Sequence, residues 1–361
     1  MIPLQGNHNS PSVIARVRRN HAALAVFLLF CSTVFHACVR APRLPVATTD
    51  DDITDQPAAE VDERVLTMDD IRSELWHRER TIRFRPSTLH ERETVSAIVA
   101  SLFAGAGAGD APLPQLAQKA RSIGFRLQVW NVAGQRYVAL IEADDHRRGA
   151  GAYVVRVGAP SPGGTPILLQ APHAYYDLGT DELSLGLFFA DNSRMVGLFT
   201  NTLHRYWDET GDYQKRERSP ADVCHRTDHV FQYATDSAAR VIGDLIVLQL
   251  HGFADNKRRP AAIVSSGDTG QSSPQVERIA VALRPVLGDV RRFPEETDEL
   301  GGTTNAQSRL LSTSRRAHFV HLELSSRLRR KLRRSPELLA SMARALFEAP
   351  LDRPEPAAES Q

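Results

Sequence analysis

The sequence predicts an α/β fold, with a mixed, mostly parallel sheet and helices on both of its faces. Three observations predict it. Short apolar runs bounded by turn residues recur between residues 125 and 325, and several are apolar at every position, as strands covered on both faces are. Segments with helical spacing alternate with these runs. Two of those segments open on Ser-Pro, at Ser273-Pro274 and Ser335-Pro336, the cap-then-proline start of a helix.

Taken in order, residues 15–20 (ARVRRN) carry three arginines, residues 22–35 are apolar, and His36-Ala37-Cys38 follows. This reads as a secretory signal over residues 1–38. The apolar run is short for a membrane span, which needs about 20 residues; an uncleaved signal anchor is the alternative. Cys38 after Ala37 resembles a bacterial lipoprotein cleavage site and is the candidate lipidation residue. Residues 39–64 are acidic and proline-rich, the composition of a disordered tether.

An N-terminal α+β region is expected over 65–150. Ser87-Thr88 can cap a helix over 89–104 in which Val95, Ile98, Val99 and Leu102 keep helical spacing. A short helix through Leu116 and Ala120 and a turn at Gly124 lead to strands over 125–132 and 135–142. A catalytic domain is expected over 151–350, with strands over 152–158, 166–172, 196–201, 244–252, 261–267 and 317–325. Its helices are expected over 183–190, 230–241, 274–287 and 336–348, and residues 351–361 form a disordered tail.

Composition excludes several functions. The formal charge of +1 over 361 residues gives no basic field for nucleic acid. Three cysteines, Cys31, Cys38 and Cys224, are too few for a disulfide framework or a cysteine zinc site. The G-x-S-x-G, H-E-x-x-H, P-loop and Rossmann patterns are absent, which argues against serine-hydrolase, thermolysin-like and nucleotide chemistry.

In open α/β sheets ligands bind beyond the carboxyl ends of strands. Three apolar runs place polar residues there. PILLQAP ends in His173 with Asp177 four residues on, DLIVLQL ends in His251-Gly252, and AHFVHLEL carries Glu323. Two histidines and a carboxylate are a common catalytic zinc set with room for water, and a further glutamate can take that water's proton. Gly252 leaves space for close approach of a ligand.

PHAYYDLGTDEL (172–183) resembles the first metal motif of the zinc-dependent poly-γ-glutamate hydrolases and N-formylglutamate amidohydrolases, families similar in fold to zinc carboxypeptidases. QLHGF (249–253) resembles their second zinc-histidine motif, and HLELS (321–325) their late strand with a catalytic glutamate. The resemblance covers roughly residues 150–348. It implies a Zn2+ site of His173, Asp177 and His251, with Glu323 as general base and acid. Tyr175-Tyr176 stand where relatives often have glycines, and Asp177 is an aspartate one residue closer to the histidine; Asp181 and Glu182 are the alternative carboxylates.

DVCHRTDHVFQ (222–232) resembles a polar loop lining the pocket of those families, making His225 and Arg226 candidates for substrate contact, with His229 beside them. His225 and His229 have the i, i+4 spacing of a metal pair; a solvated loop with a helix start near Asp228 is the other reading. GGTTNAQSR (301–309) either offers Asn305 and Arg309 to a substrate carboxylate or is a flexible surface loop, and Tyr176 can wall the pocket. His321 shares a strand face with Glu323. Arg327 is placed to pair with Glu323 or bind substrate, and RLRRKLRR (327–334) reads as the solvated face and end of a helix, with anionic lipid or glycan contact the other reading.

The expected function is an exported zinc amidohydrolase or carboxypeptidase-like hydrolase. It would act on a small peptide or amide substrate in the periplasm or outer envelope, held to the membrane by a lipid anchor. A non-catalytic envelope lipoprotein using the same fold as a binding module, and a zinc esterase or deacylase, are the alternatives. Oligomeric state is not legible.

Overall fold

The computed structural model describes residues 61–76, 83–106, 112–158, 164–190, 194–213, 219–255, 259–314 and 316–349. These lie in one compact unit, residues 56–361. The expected signal with Cys38, residues 39–60 of the expected tether, and the tail lie outside the described residues. Among the described residues no helix is long and apolar enough to cross a membrane.

In chain order the elements are β1 (Asp62–Val65), α1 (Met68–Leu75), α2 (Leu89–Ala106), α3 (Leu113–Ser122), β2 (Phe125–Val132), β3 (Gln135–Glu142), β4 (Ala152–Arg156) and β5 (Ile167–Ala171). They continue with α4 (Thr180–Phe188), β6 (Met195–Thr200), α5 (Val230–Ile242), β7 (Leu245–Phe253), β8 (Ala262–Ser265), α6 (Pro274–Leu287) and β9 (Val290–Arg292). Last come α7 (Ala306–Leu311), β10 (Ala317–Ser325), α8 (Ser326–Arg334) and α9 (Pro336–Glu348). The two Ser-Pro signals do start helices: Ser273 Oγ accepts from Val276 N at 3.3 Å and Ser335 Oγ from Leu338 N at 3.2 Å.

All ten strands form one mixed sheet in the order β1-β2-β3-β4-β6-β5-β7-β10-β8-β9. Five of its nine pairings are parallel. Side chains alternate between two cores. Ile167, Leu169, Ile246, Leu248, Leu250, Val320, Leu322 and Leu324 pack with α1, α4, α6, α8 and α9. Leu168, Leu245, Val247 and Phe319 pack on the other side with α2, α3 and α5.

The boundary expected near residue 150 falls between β3 and β4, which are antiparallel neighbours in register from Tyr137–Arg156 to Ile141–Ala152. Residues 62–64, expected in the tether, belong to β1, which runs parallel to β2 with Asp62 opposite Gln128. Its residues are largely exposed. An edge strand of that kind has no apolar alternation to announce it.

From β5 the chain leaves through α4 to β6 on one side and returns through α5 to β7 on the other. α4 and α5 cover opposite faces, and the carboxyl ends of the parallel neighbours β5 and β7 lie side by side, the position at which such sheets bind ligands.

Candidate metal centre

β5, β7 and β10 are neighbours in the sheet, and on the face covered by α5 all three change character along their length. Leu168 is followed by Gln170, Leu245 and Val247 by Gln249 and His251, and Ala317 and Phe319 by His321 and Glu323. The opposite face stays apolar to the strand ends. His251 and Glu323 are register partners, as are Gln249 and His321. His173 follows β5 in a tight turn in which Tyr176 N and Asp177 N both donate to His173 O at 2.8 Å, so that Asp177 folds back onto the histidine.

The outer nitrogen of each imidazole is committed. His173 Nε2 lies 2.9 Å from Asp222 Oδ1. A carboxylate only accepts, so that nitrogen carries the proton. His251 Nε2 lies 2.8 Å from Gln249 Oε1. The amide cannot be reversed without loss, because Gln249 Nε2 donates to Gln170 Oε1 at 2.8 Å and to Gln307 Oε1 at 3.2 Å. These tautomers follow from the network.

Both Nδ1 atoms therefore aim at Asp177 Oδ2, from 3.7 Å for His173 and 3.2 Å for His251. Three acceptors face one another deep in the protein, with His173, Asp177 and His251 each no more than 5% exposed. A shared proton, a metal ion or a neighbouring cation makes this favourable. Zinc bonds of ordinary length place two tetrahedral ligand atoms about 3.3 Å apart, close to the separation of His251 Nδ1 from Asp177 Oδ2, and nitrogen and carboxylate oxygen are donors that zinc takes. Arg205 adds a cation from the rim, its Nη1 3.2 Å from His173 Nδ1 and its Nη2 bonded to Asp222.

The electrostatics agree. Burial opposes a proton on either imidazole. For His173 the Cys224 sulfur and Asp222, and for His251 the Asp177 carboxylate and Cys224, outweigh it, holding His173 well above the ordinary value and His251 at about 9. Burial would raise Asp177, but its two histidine partners hold it well below the carboxylate range. Surroundings that draw protons onto imidazoles also draw a divalent cation, which displaces those protons.

Among the described residues, two groups of buried side chains bring ligand atoms close enough to hold a metal ion: His173 with Cys224 and His251, and His251 with His321 and Glu323. Cys224 Sγ lies 3.9 Å from His251 Nε2 and 3.5 Å from Gln249 Oε1, on the side of His251 away from Asp177. Burial raises its thiol, and the neighbouring imidazoles outweigh that, bringing it to about 6. Glu323 is pushed up to about 7 by burial. Its Oε2 is buried without a hydrogen-bond partner.

No family model and no curated protein matches the chain. Solved structures do. In fold it is similar to a bacteriophage poly-γ-glutamate hydrolase, 18% identical, with 55% of this chain and 87% of that chain covered at a TM-score of 0.29. The N-formylglutamate amidohydrolase of Ralstonia eutropha JMP134 is 16% identical, with 54% and 94% covered at a TM-score of 0.34. An N-acetylmuramoyl-L-alanine amidase of Nostoc punctiforme is 11% identical, with 52% and 97% covered at 0.26. At such identities the roles of individual residues come from this chain's own geometry.

The structure brings His173, Asp177, His251 and Glu323 together, with His321 Nε2 3.7 Å from Glu323 Oε1. Tyr176 stands at the mouth, 39% exposed, while Tyr175 packs on the core. Asp181 is held by Arg72 at 2.9 Å, and Glu182 by Arg333 at 2.7 Å, so Asp177 is the carboxylate that meets the histidines.

The other candidates are engaged elsewhere. Arg226 forks onto Asp228 at 2.8 and 2.7 Å. Asn305 caps α7, accepting from Gln307 N and Ser308 N at 2.9 and 3.1 Å, and its amide donates to Gln249. Arg309 donates to Thr304 O at 2.7 Å. His225 lies in a 3-10 turn, 3.1 Å from Asp222 Oδ2 and 3.0 Å from Thr304 Oγ1.

Of the two readings of 222–232, the structure has the helix start near Asp228: α5 begins at Val230 with His229 as its buried N-cap, bonded to Gly149 O at 2.9 Å, so His225 and His229 share no helix face. Two expectations are corrected. The space beside Gly252 holds the Arg329 guanidinium. Arg329, rather than the exposed Arg327, reaches the centre. It donates to the carbonyls of Leu178 at 2.9 Å, Phe253 at 3.4 Å and Leu324, tying together the three segments that carry the ligands and Glu323.

Asp222, Cys224, Arg205 and Gln249 escaped the sequence reading. For Gln249 a signal existed: it stands two residues before His251, on the same face of an otherwise apolar strand.

Proposed function

We propose that the protein is an exported zinc-dependent hydrolase of carbon–nitrogen bonds, acting on an amide in a carboxylate-bearing substrate. The convergence of His173 Nδ1, His251 Nδ1 and Asp177 Oδ2, each imidazole with its outer nitrogen already tied, carries this reading. These three residues would hold the ion. Zinc, when bound, polarises the scissile carbonyl and lowers the pKa of water toward neutrality.

The chain's own groups do the rest. Glu323 Oε2, buried and without a partner, accepts the proton of the attacking water and returns it to the leaving amine. A pKa of about 7 suits both directions of transfer. Arg329 fixes the strand ends that carry His251 and Glu323. For the substrate carboxylate the cation nearest the centre is Arg205, half-turned to Asp222 and 3.2 Å from His173 Nδ1, so its share of charge there is what a substrate carboxylate would meet.

Metal content of the full chain tests this directly. About one zinc per chain is expected, lost in His251→Ala. Glu323→Gln should keep the metal and lose on the order of 10²–10⁴ in kcat toward an N-acyl glutamate amide. A chain purified with no stoichiometric zinc, or a Glu323→Gln variant with full activity, sinks the reading. Export on residues 1–38 with lipidation at Cys38 belongs to the same proposal and rests on sequence alone. Palmitate labelling that is absent, or equal in Cys38→Ala, removes the lipid anchor.

A further inference from the structure

We propose that the aromatic wall beside the metal centre is a saccharide subsite, so that the substrate carries a pyranose ring next to the amide that is cut. This rests on the hydrolase reading above and names its substrate class.

Five rings touch in sequence. Tyr176 meets His204 at 5.6 Å and Tyr206 at 5.0 Å between centroids. Tyr213 meets His204 at 5.0 Å, Tyr206 at 5.7 Å and Trp207 at 6.1 Å. Three of the chain's seven tyrosines and one of its three tryptophans are gathered here, which general composition does not account for. Tyr206 is buried, whereas Tyr176 and Tyr213 are 39% and 53% exposed. Two open rings thus stand on either side of His204, over a packed aromatic base.

The wall adjoins the centre through a single side chain. The Arg205 guanidinium carbon lies 5.4 Å from the ring centroids of both Tyr176 and Tyr206, while its Nη1 lies 3.2 Å from His173 Nδ1. A group resting on the wall therefore lies one guanidinium away from the candidate metal position.

The chemistry selects the occupant. Arg205 already holds the cation-accepting sites of Tyr176 and Tyr206, so a cationic ligand is repelled. The aliphatic neighbours of the wall, Leu203 and Ala221, are buried behind Trp207, so the partly exposed side chains Tyr176 and Tyr213 are aromatic and carry hydroxyls. A pyranose has an apolar C–H face that lies against an aromatic ring and a rim of hydroxyls that need partners. The wall supplies both: the partly exposed rings of Tyr176 and Tyr213 with their hydroxyls, and His204. The His204 Nδ1 accepts from Tyr206 N at 3.2 Å, which leaves Nε2 to donate.

The test uses the full chain carrying Glu323→Gln, to prevent turnover, and the tetrasaccharide of β-1,4-linked N-acetylglucosamine as probe. Saturation-transfer NMR should show the sugar ring protons in contact with protein. Calorimetry should show roughly tenfold weaker binding for Tyr213→Ala, while Tyr213→Phe binds within about twofold, with metal content and melting temperature unchanged in both.

Absence of saccharide binding overturns the proposal, as does equal binding by Tyr213→Ala. So does occupation of the wall by a leucine-rich peptide amide that the tetrasaccharide cannot displace. Binding is measured without catalysis and on both zinc-loaded and chelator-treated protein. Loss of the hydrolase reading, seen as missing zinc, therefore leaves a distinct result from loss of the saccharide subsite.

Discussion

Asp222 and Gln249 perform one task on two histidines: each takes the proton of an outer imidazole nitrogen and so turns the inner lone pair toward Asp177. Removing the charge from one of them should weaken the metal without touching a ligand. Asp222→Asn is expected to lose on the order of 10–100-fold in zinc affinity, read by competition with a chromophoric chelator; unchanged affinity would separate Asp222 from the centre. His229 has a different consequence. Burial lowers its pKa to about 4, so the folded chain binds fewer protons there than the unfolded chain, whose imidazole titrates near 6.5. Its contribution to stability is therefore complete above about pH 6.5 and falls as the pH drops toward 4. Between pH 7.5 and 5 the loss is on the order of 2 kcal/mol. Urea midpoints of His229→Gln should fall less over that interval than those of the parent, and equal falls would assign the effect to other groups.

Among the elements, α7 shows how a polar stretch can be structural. Residues 301–309 read as a loop offering Asn305 to substrate; folded, Asn305 caps a helix of six residues and steadies Gln249 behind His251. Asn305→Ala is expected to cost about 1–2 kcal/mol in chemical unfolding with KM unchanged. A raised KM with intact stability would return the residue to the substrate. Strands β2 to β8 and β10 were legible because apolar runs ended at turn residues, and α6 and α9 because Ser-Pro announced them. β1, α1, β9 and α7 were not: they are short, and tertiary partners hold them. Likewise His173, His251 and Glu323 stood out as polar breaks in apolar strands. Asp222 and Cys224 sat in a polar loop where nothing distinguishes a buried carboxylate from a solvated one. Arg329 was not legible, because the phase of α8 fixes which arginine turns inward and a run of six cations among eight residues conceals that phase.

For the whole molecule the continuous sheet matters most. Because β1 to β4 are hydrogen-bonded through β6 to the strands that carry the centre, residues 62–156 should not melt apart from the rest. Calorimetry is expected to show one transition for the described unit. Trp130→Ala in β2, where the ring is fully buried, should lower that one midpoint at a cost of about 3–5 kcal/mol; a second, independently shifting transition would divide the fold. The order of the strands also sets a timetable. His173, His251 and Glu323 lie roughly 75 residues apart along the chain, and such non-local pairings close late because loop entropy precedes their reward. Until β5, β7 and β10 are side by side, the chain offers an ion only short local sets, such as His173 with Asp177 or Asp222 with Cys224 and His225. On the proposed zinc reading, loading would be the final event of folding, and the binding energy would stabilise only the finished sheet. On the proposed export, the chain would draw its metal from the compartment where it finishes folding.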